Sequence, residues 1–100
     1  MDNLLVINKA ISSKKIISFF YDDSLRIVEP FLTGKHRDTG RDTLRAWFLS
    51  GTSKSRNPIP WRMYTIDKMS NIQILDGSFS GIREDYDPND DNMSNIYHYV

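Results

Sequence analysis

What most constrains the fold is a series of short β-type runs, KIISFFY, LRIVEPFLT, TLRAWFLSG, WRMYTIDKM and NIQILDG, separated by polar, turn-forming stretches. β-Branched and aromatic residues suit a pleated, partly buried surface, and a strand sends alternate side chains to opposite faces. In the first run Ile17, Phe19 and Tyr21 share one face and Ile16, Ser18 and Phe20 the other, so a strand covered on both sides is expected. In the third, Leu44, Ala46 and Phe48 oppose Thr43, Arg45, Trp47 and Leu49. Pro30 withholds a ladder hydrogen bond and predicts an edge, an end or a bulge inside the second run. Asp22, Asp23 and Ser24 are turn chemistry. GKHRDTGRD reads as a loop or exposed hairpin tip punctuated by Gly34 and Gly40, and Ser70-Asn71 as a bend.

Before these runs, Asp2 or Asn3 can cap a helix. Leu4, Ile7 and Ile11 recur at helical spacing, widened by Leu5, Val6 and Ala10, and the helix should end near Ser12-Ser13. It is too short to hold alone in water, so it must lie on the strands. After them, FSGIREDYDPNDDN is turn-rich and is expected to cross the surface pinned by Phe79 and Tyr86, with MSNIYHYV a candidate closing strand. The fold class is mainly β with one N-terminal helix, a small bent sheet or barrel of about five strands. Closure would also remove exposed strand edges. Residues 1–100 form a single domain, with a core of about 4–79 and 80–100 as an extension packed on the barrel.

Composition removes several function classes. The chain carries 13 Lys plus Arg against 13 Asp plus Glu, so bulk positive charge does not mark it as a general nucleic-acid binder and anion binding needs a local cluster. It has no cysteine, hence no disulfide framework, thiolate metal site or cysteine nucleophile. MDNLLVINKAISS lacks a basic region and a cleavage site, and its apolar run is too short for a membrane span. No membrane association is expected, and the expected compartment is the cytoplasm.

Asp85, Asp87 and Asn89 alternate as in a calcium loop, but Asp90 and Ile96 stand where that loop needs glycine and bidentate glutamate. Starting at Asp87 puts Asn92 and His98 there. A solvated turn is the expected reading. His36 and His98 have no metal-ligand spacing, no serine sits in a nucleophile elbow, and there is no phosphate-binding glycine motif. The protein is expected not to be an enzyme, with no cofactor and no metal.

Basic residues inside apolar runs are more informative. Arg26, Arg45, Arg62 and Lys68 each need a partner or an exit to water. Each either snorkels from an outer sheet face, pairing with Glu29, Asp42 or Asp67, or converges with the others on one flank, where arginines suit paired hydrogen bonds to phosphate or carboxylate. Tyr21, Trp47 and Tyr64 offer faces for stacking a base or are core. Lys54 and Arg56, in the second polar loop, suit an anion or any exposed hairpin.

The order AISSKKIISFFY, LRIVEPFLT, TLRAWFLSG, WRMYTIDKMSNIQILDGSF resembles the WYL domain family from about Ile7 to Phe79. The matching elements are Ala10-Ile11, Tyr21, the Arg26 to Pro30 segment, Leu44 to Trp47, and Asp67-Lys68-Met69. Asp42-Thr43-Leu44 stands where the family has its tryptophan-tyrosine-leucine triplet, and Thr65 where an arginine is common. The resemblance implies an SH3-like or Sm-like barrel whose second strand begins at Arg26 and bends or leaves the ladder at Pro30. It also implies regulatory ligand binding, often of nucleic acid or nucleotide-like molecules. The family domain is usually attached to a winged helix; the tail here is similar to that of a small stand-alone bacterial or phage branch.

The expected function is therefore binding of an anionic ligand, a nucleotide or single-stranded nucleic acid, by Arg26, Arg45, Arg62 and Lys68, with Tyr21 and Trp47 beside it. The alternatives are a protein-interaction module, adaptor or inhibitor, and sequestration of a signalling nucleotide. Apolar faces on most strands make a homo-oligomer a further expectation.

Overall fold

A computed structural model describes residues 2–51 and 60–100. The elements are α1 (Asn3–Ser13), β1 (Lys15–Tyr21), β2 (Ser24–His36), β3 (Asp42–Gly51), β4 (Trp61–Thr65), a single 3-10 turn (Ile66–Lys68), β5 (Ser70–Ser78) and β6 (Met93–Tyr99). No helix among the described residues is long and apolar enough to cross a membrane.

The helix forms where the capping residue and apolar stripe place it. The Asp2 side chain accepts from the Leu4 amide at 2.9 Å, and Lys14 ends the helix in a left-handed conformation. Ile7, Ala10 and Ile11 are fully buried against Ile17, Phe19, Val28, Leu44, Ala46, Tyr64, Ile66 and Met69. Two polar anchors fix the docking: Asn3 Nδ2 donates to the Met69 carbonyl at 3.0 Å, and Thr33 Oγ1 donates to Asn8 Oδ1 at 2.6 Å.

All six strands are antiparallel and lie in one sheet. The path runs β4-β3-β2-β1-β5, with β6 added to β2, and the sheet is not closed. Asp22 and Asp23 both take left-handed φ, making the two-residue turn that joins β1 to β2. β2 gives residues 24–28 to β1 and residues 32–36 to β6, and it pairs with β3 along its length. The change of neighbour falls at Pro30 and Phe31, where the register against β3 also shifts. The proline thus stands at a bulge, one of the three places its missing amide allows.

Three expectations are corrected. β2 continues through Gly34, Lys35 and His36, because β3 on one side and β6 on the other hold this weakly β-forming stretch extended. Gly34 is required there: a Cβ would come within 2.5 Å of the Asn95 carbonyl oxygen on β6. The strand count is six, since MSNIYHYV supplies β6. β1 is not fully covered on both sides, as Phe20 remains 39% exposed.

The face opposite α1 has its own apolar layer, covered by residues 79–92. Phe31 is fully buried and packs on Trp61, Phe79 and Tyr86 at ring separations of 5.0, 5.1 and 4.9 Å. Phe79 and Tyr86 pin the irregular segment as the sequence predicts, and the Tyr86 hydroxyl reaches the Phe31 and Val100 carbonyls.

Candidate anion site

Opposed residues of an antiparallel pair point to the same face. Arg26 is opposite Phe19, Arg62 opposite Ala46, and Tyr64 opposite Leu44. Phe19, Ala46 and Leu44 are core, so Arg26, Arg62 and Tyr64 belong to the inner face. They gather at one end of it: the end of β1 brings Tyr21, the start of β2 brings Arg26, the end of β3 brings Phe48, and β4 brings Arg62 and Tyr64. The rings of Phe19, Tyr21 and Tyr64 meet edge to face, with Tyr64 5.0 Å from Phe19 and 5.1 Å from Tyr21. Tyr21 is fixed further by its hydroxyl, which accepts from the Thr65 amide at 3.2 Å.

Arg26 is only 6% exposed and Tyr64 only 2%. The Arg26 guanidinium carbon is 5.9 Å from the Tyr21 ring centre, and no carboxylate among the described residues pairs with it. Its Nε and the Tyr64 hydroxyl are both buried without a hydrogen-bond partner. Burial pushes the Tyr64 phenol above its ordinary value; the charges of Arg26 and Arg62, and the approach of the Arg26 guanidinium to the hydroxyl, only partly oppose this. At neutral pH it is an O–H donor beside a guanidinium. The Arg62 guanidinium lies 4.3 Å from the centre of the Phe48 ring on the same face. Arg26 Nε and the Tyr64 hydroxyl, enclosed and without a hydrogen-bond partner, are donors of the kind an oxyanion satisfies.

The other predicted residues lie elsewhere. Arg45 and Trp47 alternate to the outer face. Arg45 Nε donates to Asp90 at 2.8 Å. Trp47 packs edge to face on Trp61, and the Arg83 guanidinium sits 4.6 Å from its ring centre. Arg83 in turn grips Glu29 with two bonds of 2.8 Å. These groups fasten residues 79–92 to the sheet. Lys68 is exposed on the 3-10 turn, not within a strand, because burial of Ile66 and Met69 curls the chain after Thr65. Lys54 and Arg56 lie outside the described residues.

The Arg83–Glu29 pair was not anticipated. Its sequence signal is the glutamate itself, a charge within the apolar run LRIVEPFLT, and it is only 5% exposed. A cleft of about 220 Å³ borders the fastening, lined by Arg45, Trp61, Asp85, Tyr86, Asp87 and Asp90. Its carboxylates hold local turns: Asp87 accepts from the Asn89 amide at 2.9 Å and Asp90 from the Asn92 amide at 3.0 Å. His36 Nδ1 accepts from the Asp38 amide, His98 bonds Ser12 at 2.6 Å, and no metal-holding cluster occurs among the described residues.

The fastening has a pH signature. Burial alone would raise the Asp90 carboxyl, but bonds from Arg45 and the Asn92 amide, with the Arg45 charge, outweigh it and hold the group below 3.8. A depressed folded value stabilises the protein above the unfolded value, and the contribution is lost as pH falls through the folded one. Denaturant titrations from pH 6 to 2 should therefore show an acid loss that is smaller in Asp90→Asn. An unchanged acid limb in the variant would contradict this account. Compared with known proteins, the chain matches no family model, no curated protein and no solved structure.

Proposed function

We propose that this is a non-enzymatic binding domain that takes an anionic ligand, a nucleotide or single-stranded nucleic acid, at the Arg26–Tyr64 end of the inner face. The observation that carries the reading is the buried, unpartnered Arg26 Nε beside the buried, unpartnered Tyr64 hydroxyl. An enclosed charge without a counter-ion is costly, and a buried polar group left without a partner calls for a physical reason, of which a bound ligand is one. Arg62 adds a second charge on the same face, and Tyr21 and Phe48 supply ring faces for a base. Arg45, Trp47 and Lys68 are not included in this site.

The strand order supports an SH3-like or Sm-like architecture of the WYL kind. Four consecutive strands form a meander and the fifth returns beside the first, the order a rolled sheet needs to approach closure. A regulatory role, sensing or sequestering such a ligand, fits a small domain of this kind.

Calorimetry with a panel of nucleotides and short oligonucleotides at low salt tests the reading. Binding is expected for at least one of them. With two arginines engaged on a single strand, log affinity should fall with log salt at a slope of roughly −1.4. Absence of heat from the whole panel at high protein concentration would refute it.

A further inference from the structure

We infer that the outer face of the sheet beside the β1–β2 turn is an interface through which two copies of this chain pair about a two-fold axis. The inference is independent of the anion-binding reading and concerns the opposite face. Residues 79–92 cover part of the outer layer, with contacts that reach Glu29, Phe31, Trp47 and Trp61. Toward the turn the layer continues without that cover. Alternation along each strand directs Ile16 and Phe20 of β1, Leu25 and Ile27 of β2, and Leu49 of β3 outward, away from the core residues Ile17, Phe19 and Val28. The register sets them side by side: Phe20 lies opposite Leu25, and Ser18 lies between Ile27 and Gln73 of β5. Phe20, Leu25 and Leu49 are 39%, 42% and 39% exposed, and Ile16 and Ile27 are half-buried.

Size and chemistry both point to a second copy. At about 200 Å² for a large apolar side chain, these five residues leave roughly 300 Å² of apolar surface, the scale at which a patch on one chain marks an interaction site. Two such patches in contact hide about 600 Å² of apolar area, and at the roughly 60% apolar share of an interface the whole contact is about 1,000 Å². That is the lower limit for a specific interface and fits a reversible dimer. An isologous contact sets a patch against itself, so a charged patch repels its copy. None of the five carries charge. The two polar groups among them, Ser18 and Gln73, each donate and accept hydrogen bonds and so match their own copies. Charges stand only at the rim: Asp22 and Asp23 in the turn at one end, and at the other Arg83, paired with Glu29, the next outward residue after Ile27. Stacked sheets pack about 10 Å apart with side chains of the two facing layers interdigitated, a geometry open to this flat, uncharged half-face.

Sedimentation velocity on the full chain over roughly 1–200 µM, the range in which a small interface dissociates, tests the pairing. The mass is expected to move from one chain to two as concentration rises. Leu25→Asp puts a charge on each copy and should raise the dissociation constant about 10-fold or more, because like charges brought together across a contact repel. Gln73→Lys changes a position already exposed in the single chain and removes no apolar area, so it should weaken pairing in the same direction while the far-ultraviolet spectrum and melting curve stay unchanged. It keeps the test decisive if Leu25→Asp disturbs folding. Leu5→Asp, on the outer surface of α1 where Leu5 is 67% exposed, should leave pairing as it is. A chain that stays monomeric throughout the range overturns the proposal and leaves the face to a different protein. A dimer that survives both Leu25→Asp and Gln73→Lys overturns it as well, because the contact then lies elsewhere.

Discussion

Arg26→Met is expected to raise the melting temperature of the free protein and to abolish anion binding. The guanidinium is 94% enclosed, lacks a carboxylate partner among the described residues and leaves Nε bare. The penalty for burying an ion is several kcal/mol even after relaxation. Against it stand a distant ring contact, 5.9 Å from the Tyr21 centre, worth about 0.5–1 kcal/mol, and the neighbouring Tyr64 hydroxyl, which carries no charge to offset it. Methionine is unbranched and of similar reach, carries no charge, and makes favourable sulfur contacts with rings such as Phe19, Tyr21 and Tyr64. The Tyr64 hydroxyl stays unpartnered in the variant, so only part of the penalty is recovered. A gain of about 1–3 kcal/mol is expected, with each kcal/mol moving the midpoint by roughly 4–8 °C in a domain of this size. Opposite signs in stability and binding are the mark of a residue kept for a ligand. A variant that both melts lower and fails to bind would make Arg26 a structural residue, and the site would lose its support.

The same arginine shows where sequence reading stops. Arg26 stands between Leu25 and Ile27, and Arg45 between Leu44 and Ala46. Both have apolar neighbours, and alternation fixes only which residues share a face, not which face is inside. Here both faces are covered, one by α1 and the other by residues 79–92, so polarity does not separate inner from outer. Arg26 proved to face α1's side and Arg45 the tail. The helix was legible because its cap and stripe are local, and the bulge because Pro30 announces it. Gly34 to His36 was not legible as strand, since only pairing with β3 and β6 makes it extended. Lys68 was misplaced because the apolar residues around it, Ile66 and Met69, fit a tight turn as well as a strand.

The outer layer also orients the inner site. Trp61 and Arg62 are consecutive in β4 and point to opposite faces. Trp61 is held from outside by Phe31, by stacking with Tyr86 at 5.8 Å, and by its indole N–H donating to the Glu84 carbonyl at 2.6 Å. Holding Trp61 there presents Arg62 and Tyr64 inward. The tail is thereby a structural support of the site, not an appendage to a finished domain.

Ending the chain after Ser78 is accordingly expected to destroy cooperative folding and not merely to expose a surface. The truncation removes Phe79, Met93 and the Tyr86 ring, uncovers Phe31, and deletes Arg83 and Asp90, the partners of Glu29 and Arg45. It also strips β6 from residues 32–36 of β2. Full burial of a large apolar side chain contributes about 1.5–3 kcal/mol, so Phe31, Phe79 and Met93 alone account for roughly 5–9 kcal/mol by that measure. A domain's whole stability is about 5–15 kcal/mol. Thermal unfolding followed by near-ultraviolet circular dichroism should show no sigmoidal transition for residues 1–78. Tyr86→Ala, which keeps both ion pairs and β6, should remain cooperative but lose about 3–5 kcal/mol at most, the range for removing a buried aromatic ring. A truncated chain melting cooperatively within a few degrees of the full one would mean that the sheet and α1 suffice, and that the tail supports neither Trp61 nor the site behind it.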